Sequence, residues 1–275
     1  MAGSMRSAPP SLALRLTPVP STRGGALRIL ERTLLVYRRS WVVFLTGMLE
    51  PAFYLLSIGI GVAALVGTVR LDDGTAVPYA EFIAPAMLAA AAMNGAIFDA
   101  TYGVFFRLKF EKLYDTILAT PLRPRDVATA EVTWSLTRGG IYSAAFVLLM
   151  VALGYAESWW TLLALPAAVL IAFGFAGAAM ALTTYMRTWQ DFEYVQLAIM
   201  PMFLFSATFY PLATYPGALQ LVVQATPLYQ GVALERALTT GTVGWEALGH
   251  VAYLLVMGCV GLWVTSRRLG TLLTS

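Results

Sequence analysis

The chain has 275 residues, of which 59% are hydrophobic and only 12% are charged, and its mean hydropathy is +0.71. This composition excludes an ordinary water-soluble domain and indicates an integral membrane protein. Because one spanning helix needs about 20 apolar residues, the length fits a single domain of six spans. The net charge of +3 comes from clustered basic residues, and we expect no nucleic-acid partner.

The N-terminal region precedes any apolar run long enough to span. Residues 1–22 contain four prolines and no continuous apolar core, so we predict a flexible cytoplasmic tail. Residues 23–40 are predicted to form an amphipathic helix in the membrane surface. Its apolar positions are Leu27, Leu30, Leu34 and Tyr37, and its charged positions include Arg28, Glu31 and Arg32. A simple extension of the first span is the alternative.

The remaining residues, 41–275, are predicted to form one six-helix transmembrane domain. The apolar segments are 41–65, 82–106, 133–153, 161–185, 195–210 and 248–265. Segment 217–225 is apolar but far too short to cross. Non-helical backbone at membrane depth must be buried in protein or line a cavity, so we expect a re-entrant outer hairpin between spans five and six. The small residues Gly174, Gly177, Ala178 and Ala181 predict close helix packing in span four.

The arginines and lysines give the orientation. They cluster before the first span, between spans two and three, and after spans four and six, whereas only Arg70 and Arg236 lie on the other side. Basic residues in short loops stay on the cytoplasmic side, so both termini are predicted to be cytoplasmic and the protein to be a multi-pass protein of the inner membrane.

The loop between spans two and three is longer than a turn requires. An apolar stripe of Phe110, Leu113, Tyr114, Ile117 and Leu118 predicts a helix over residues 107–118, which should stop near Pro121 and Pro124. The opposite face carries Lys109, Glu111, Lys112 and Asp115. Asp126 is a candidate N-cap of the next helix. We interpret this segment, called the elbow below, as a docking surface, with a solvated connection as the alternative.

Three charges are predicted to share a layer in the cytoplasmic half of the membrane. Glu50 lies in span one, Asp99 in span two and Arg138 in span three. An unpaired charge there costs roughly 2.5–3.5 kcal/mol, so Arg138 should pair with at least one of the acids. A structural ion pair and a proton relay both fit the pattern.

Two kinds of site are excluded by what the sequence lacks. A phosphate-binding P-loop needs a Gly-Lys pair, and neither lysine, Lys109 or Lys112, follows a glycine. We therefore expect no ATPase site and no bound cofactor in this chain. Cys259 and His250 are the only residues of their kinds, so no Cys/His metal site is expected.

Three sequence patterns, in order, resemble the permease subunits of type-2 ABC exporters, especially nodulation lipo-oligosaccharide and daunorubicin-type drug exporters. They are Leu49-Glu50-Pro51 in span one, Phe110-Glu111-Lys112 through Thr120-Pro121-Leu122-Arg123-Pro124 in the elbow, and Phe209-Tyr210-Pro211-Leu212 followed by Pro227-Leu228. The resemblance covers nearly the whole chain from Arg23. One departure is Ala207, because many members have a glycine after the serine at this place.

The resemblance implies an exporter subunit rather than an enzyme. Two permeases, here expected to be a homodimer, would face each other above two cytoplasmic ABC ATPase subunits that hold ATP and Mg²⁺. The elbow would be the coupling helix, residues 25–37 the interfacial gate helix, and the region from Pro211 to Tyr229 the outer hairpin. The expected cargo is amphipathic: a glycolipid, a lipo-oligosaccharide or a hydrophobic drug.

Two other functions are alternatives to export. A proton-coupled secondary transporter would use Glu50 and Asp99. A membrane-embedded enzyme acting on lipids would need converging acids, histidines or a nucleophile at one interface, which the single histidine and scattered outer acids disfavour.

Overall fold

The computed structural model describes residues 25–38, 49, 52–70, 74–120, 122–156 and 158–274. The tail 1–22 and Glu50 lie outside these residues. The elements, in chain order, are α1 (Gly25–Arg38), α2 (Ala52–Val66), β1 (Thr68–Arg70), β2 (Ala76–Pro78), α3 (Tyr79–Lys109), α4 (Leu113–Leu118), α5 (Pro124–Ala152), α6 (Trp159–Thr183), α7 (Phe192–Leu204), α8 (Gly217–Ala225), α9 (Pro227–Thr240) and α10 (Glu246–Thr274). The chain is thus an all-α membrane protein with one short antiparallel ribbon, in which Thr68 pairs with Pro78.

Four helices in the described residues are long and apolar enough to cross a membrane: α3, α5, α6 and α10. They correspond to predicted spans two, three, four and six. The helices α3 and α5 both extend further toward the elbow than predicted. As a result Arg107, assigned to the loop from sequence, belongs to α3, and Glu131 belongs to α5.

The predicted fifth span, 195–210, is wrong as one continuous helix. The helix α7 ends at Leu204 after 13 residues, and the chain from Phe205 onward is irregular up to a short turn, Leu212–Thr214. At 1.5 Å per residue α7 is only about 20 Å long. Ala207 has a φ of 53°, a conformation that glycine adopts without strain. A glycine would therefore fit this place without strain, whereas Ala207 adopts the same conformation at some cost.

The start of α5 also corrects a prediction. Arg123, not Asp126, is the N-cap, and Pro124 occupies the first helical position, where its missing N–H costs nothing. Asp126, at the third helical position, accepts a hydrogen bond of 2.9 Å from the backbone N–H of Arg123. Its carboxylate therefore still accepts a hydrogen bond from a backbone N–H at the start of the helix, although Asp126 lies within the helix.

The helix α3 lies at the centre of the bundle. Nearly all of its side chains from Phe82 to Ala96 are buried, and α5, α6 and α9 pack around it. Its alanines let neighbouring backbones approach closely, which is how helices associate where water supplies no hydrophobic force. Gly139 of α5 fits against Ala172 of α6 and the carbonyl of Ala92.

The tightest helix contact joins α6 and α10. A Cβ atom on Gly177 would lie 2.5 Å from the carbonyl oxygen of Gly258, and one on Gly261 would overlap the backbone of Gly177. The close approach predicted from the small residues of span four is therefore present, and three glycines form it.

We expect Gly261→Ala to destabilise the protein by about 1–3 kcal/mol, because the added methyl group has no space against α6. Gly249, on the same helix, has nothing within 4 Å of an added Cβ. Gly249→Ala should therefore be neutral, or stabilising by up to about 1 kcal/mol through helix propensity. Thermal unfolding in detergent measures both variants. Equal midpoints would contradict the packing described.

Candidate functional site

The elbow between α3 and α5 is not the single helix predicted over residues 107–118. The helix α3 ends at Lys109, and Lys112 adopts a left-handed conformation with a φ of 47°. This residue interrupts the helical conformation before α4, which has only six residues. The predicted apolar stripe is therefore split: Phe110 is 62% exposed, whereas Tyr114 is fully buried.

The tip of the elbow is exposed and carries mixed charge. The exposed predicted residues are Lys109, Phe110, Glu111, Lys112 and Asp115. The ring of Phe110 stacks on that of Phe106, with centroids 5.0 Å apart. Leu113 is half-buried and packs on the core. The elbow thus presents an aromatic ring and several charges, while its far side is held by the bundle.

Arg107 connects two buried carboxylates. Its Nη2 atom lies 2.7 Å from Glu131 Oε2 and 3.3 Å from Asp99 Oδ2, so α3 and α5 are joined through one guanidinium. Asp99, Gly103 and Arg107 follow one another at four-residue spacing on α3. A Cβ on Gly103 would come within 2.9 Å of Asp99 and 3.1 Å of Arg107, so the glycine leaves room for this pair.

Tyr114 attaches the elbow to the same network. Its hydroxyl donates a 2.9 Å hydrogen bond to Glu131 Oε1, and both side chains are almost completely buried. Burial, followed by the nearby Glu131 carboxylate, raises the pKa of Tyr114 well above its usual value. The phenol therefore stays protonated and acts as the donor.

The network continues toward the membrane interior through Arg138. Its Nη1 atom lies 3.6 Å from Asp99 Oδ1, and its Nε donates a 3.0 Å hydrogen bond to the hydroxyl of Tyr142. Ser135 donates a 3.4 Å hydrogen bond to Asp99. The structure thus forms the Arg138–Asp99 pair expected from sequence.

The network contains two cations, Arg107 and Arg138, and two anions, Asp99 and Glu131. Each is largely buried, and the formal charges cancel. Burying ions is costly, and loss of one partner leaves an uncompensated charge. The four groups therefore depend on each other, and this dependence fixes the relative position of α3 and α5.

Several members were missed from sequence. Glu131, Ser135 and Tyr142 lie on one face of α5, with Arg138 between the last two. The available signal was the helical spacing of Glu131, Ser135 and Arg138. It was missed because Glu131 precedes the apolar segment 133–153, and only charges inside the apolar segments were assigned to the buried layer.

The predicted gate-helix residues lie on α1, which packs against α5. Arg28, Glu31 and Arg32 are exposed. The most buried of its larger side chains are Ile29 and Thr33, and Leu30 of the predicted apolar face is half-buried. Leu27 is 68% exposed and Leu34 is 52% exposed, so these two leucines point away from the bundle. Tyr37 lies in the last turn of the helix.

Hydrogen bonds lie at or beside the predicted outer-hairpin residues Phe209 and Pro227. Tyr79 donates to the carbonyl of Phe209 at 3.2 Å, and the hydroxyls of Ser206 and Thr226 lie 3.0 Å apart, just before Pro227. Tyr210 is exposed, and Pro211 is half-buried.

A second contact on this side was not foreseen from sequence. Arg236 of α9 donates a 2.9 Å hydrogen bond to the carbonyl of Ala207, and its guanidinium lies 4.0 Å from the centroid of the Phe82 ring. The neighbouring Glu235 is fully buried, and neither of its carboxylate oxygens has a hydrogen-bond partner among the described residues.

Comparison with known proteins identifies the family. The ABC-2 type transporter family matches residues 26–238, which is most of the chain. The chain belongs to the ABC-2 type transporter family. It is a permease, the membrane subunit of an ABC exporter, and a multi-pass protein of the inner membrane. Members of the family work with an ABC ATPase partner.

The curated relatives of this ABC-2 permease include several proteins named nodulation protein J. That of Rhizobium meliloti is 29% identical over 83% of this chain and 86% of its own length. That of Rhizobium leguminosarum bv. trifolii is 29% identical over 86% of this chain and 91% of its own length. In both cases the match covers more than four fifths of this chain.

A double-mutant cycle tests whether this ABC-2 permease depends on the buried network. We expect Arg107→Gln to cost roughly 3–5 kcal/mol, because it leaves Glu131 without its ion-pair partner and Asp99 with Arg138 alone. Adding Glu131→Gln should recover about 1–3 kcal/mol of that loss. Arg125→Gln, which changes an exposed arginine at the start of α5, is the control. Thermal unfolding measures each variant, and strictly additive effects of Arg107→Gln and Glu131→Gln would contradict the coupling.

Proposed function

We propose that this ABC-2 permease pairs with a second copy to form an export pathway, and that two separate ABC ATPase subunits drive it by docking on the elbow. The observation that carries the proposal is the construction of the elbow. Its tip, from Lys109 to Lys112, is exposed, while Tyr114 connects its other side to the buried network. Force applied to the tip would reach α3 and α5 together.

The proposed topology has six spans with both termini in the cytoplasm. The helix α2 would be the described part of the first span, and α7 that of the fifth. The distribution of arginine and lysine supports this orientation. The aromatic residues agree: Trp263 would mark the inner interface, and Trp159, Trp160 and Trp245 the outer one.

The short helices α8 and α9 are proposed to form the re-entrant hairpin at the outer end of the pathway. With 9 and 14 residues, they are about 13 and 21 Å long, less than the roughly 30 Å of the hydrocarbon core. Arg236 would hold the loop before α8 against α3 through its contacts with Ala207 and Phe82.

The helix α1 is proposed to be the interfacial gate helix. Leu27 and Leu34 point away from the bundle, and Arg28 and Arg32 are exposed, so an apolar and a basic surface are both available to the inner leaflet. Contact through Ile29 and Thr33 would let this helix follow movements of α5.

The proposed energy source is ATP, held with Mg²⁺ by the partner subunits rather than by this chain. Cargo of an amphipathic kind, such as a glycolipid, a lipo-oligosaccharide or a hydrophobic drug, fits a domain whose outward surfaces are mainly apolar. In the described part of the chain, Asp99 is committed to Arg107 and Arg138. This pairing favours a structural role for Asp99 over a proton relay.

Charge reversal at the tip tests the docking surface. We expect Glu111→Arg to weaken co-purification of the cognate ABC ATPase subunit at least about tenfold, because like charges placed across an interface cost several kcal/mol. Glu246→Arg makes the same change at an exposed acid at the opposite end of the bundle and should leave co-purification unchanged. Both variants should remain monodisperse. Normal association of Glu111→Arg would overturn the assignment of the tip as the docking surface.

A further inference from the structure

An apolar cavity lies between α3, α6, α7 and α10. Its volume is about 720 Å³, within the roughly 300–1,000 Å³ typical of pockets that take organic ligands. Its walls include Ile97, Phe175, Leu182, Val195 and Met202. It continues into a groove between α6 and α10 that shares Leu182, Tyr185 and Met257 with it. A long, flexible apolar chain suits this space better than a compact polar molecule.

One end of the cavity is basic and aromatic. Arg187 and Tyr185 line this end, and the guanidinium of Arg268 lies 4.5 Å from the centroid of the Tyr185 ring. The Nε atom of Arg268 is buried and has no hydrogen-bond partner among the described residues. Arg268 thus lies behind Tyr185, which lines the cavity, and an anion at this end would supply the acceptor that its Nε lacks.

The acidic residue at this end does not cancel the two arginines. Asp191 accepts hydrogen bonds from the backbone N–H groups of Arg187 at 2.6 Å and Thr188 at 3.0 Å. These bonds, that of Thr188 first, lower the pKa of Asp191. The carboxylate is thus turned back into its own loop, and the end of the cavity keeps a net positive charge.

The aromatic residues around this end of the cavity place it at the depth of the lipid headgroups. Trp189 and Tyr194 are both exposed beside it, and aromatic rings of this kind sit at the membrane–water interface. Basic pockets between spanning helices on the cytoplasmic side are suited to anionic lipid headgroups. The apolar cavity below the interface would take an acyl chain of a phospholipid, and the two arginines at the interface would take its phosphate.

We propose that an anionic phospholipid of the inner leaflet binds here, with an acyl chain in the cavity and its phosphate between Arg187 and Arg268. The lipid would fill the space between α7 and the α6–α10 pair. The site is separate from the elbow, so lipid binding and ATPase docking can succeed or fail independently.

Native mass spectrometry of the full chain tests this site, with dioleoyl phosphatidylglycerol as the probe and dioleoyl phosphatidylcholine as the comparison. We expect the wild type to bind the anionic lipid more tightly. Binding should weaken roughly fivefold for each arginine removed in Arg187→Gln and Arg268→Gln. Arg267→Gln is the matched control, because Arg267 is the neighbouring arginine on α10 and lies over Trp263 instead.

A cavity-filling variant gives a second, independent measurement. Ala198 lines the cavity but is exposed, so Ala198→Trp should block the acyl chain without disturbing the packed core. We expect loss of phosphatidylglycerol binding with an unchanged unfolding midpoint. Equal binding of the two lipids, an equal loss in Arg267→Gln, or undiminished binding in Ala198→Trp would overturn the proposal.

Discussion

The contact between Arg107 and the two carboxylates of Asp99 and Glu131 is the constraint on which the elbow end of this permease depends. The guanidinium joins α3 to α5 through Glu131 at 2.7 Å and contacts Asp99 of its own helix at 3.3 Å, and both carboxylates are buried. In such surroundings an ion without its partner is far more costly than in water. The pair of helices is therefore held in one arrangement rather than in a range of similar ones.

This constraint makes the elbow rigid relative to α3 and α5. A connection made only of exposed charged residues would deform under load without moving the helices. Here Tyr114 donates to Glu131, and Glu131 in turn contacts Arg107, so the elbow and both helices share one set of buried bonds. Close packing further into the membrane, at Gly139 and Gly177, allows little independent sliding of the helices. A docked ATPase would accordingly move a rigid pair of helices.

The sequence predicted the features that depend on composition and period, and missed those that depend on precise geometry. Long apolar runs identified α3, α5, α6 and α10, because an apolar helix of that length is stable across the membrane. The prediction of one continuous elbow helix was wrong at Lys112, because hydrophobic periodicity does not reveal that a residue is in the left-handed conformation. Glu131 was missed because it precedes the apolar segment 133–153, and only the fold brings it to Arg107. The Arg138–Asp99 pair was foreseen because the cost of an unpaired charge in the membrane requires a partner.

The central claim is that the elbow faces the cytoplasm, where an ATPase can reach it, and a lysine-specific protease tests this most directly. Lys109 and Lys112 are the only lysines in the chain, and both are exposed at the elbow. The account predicts cleavage of the permease in inside-out membrane vesicles and none in sealed right-side-out vesicles, with detergent-solubilised protein as the positive control. Cleavage in the right-side-out vesicles, with the inside-out sample intact, would contradict it.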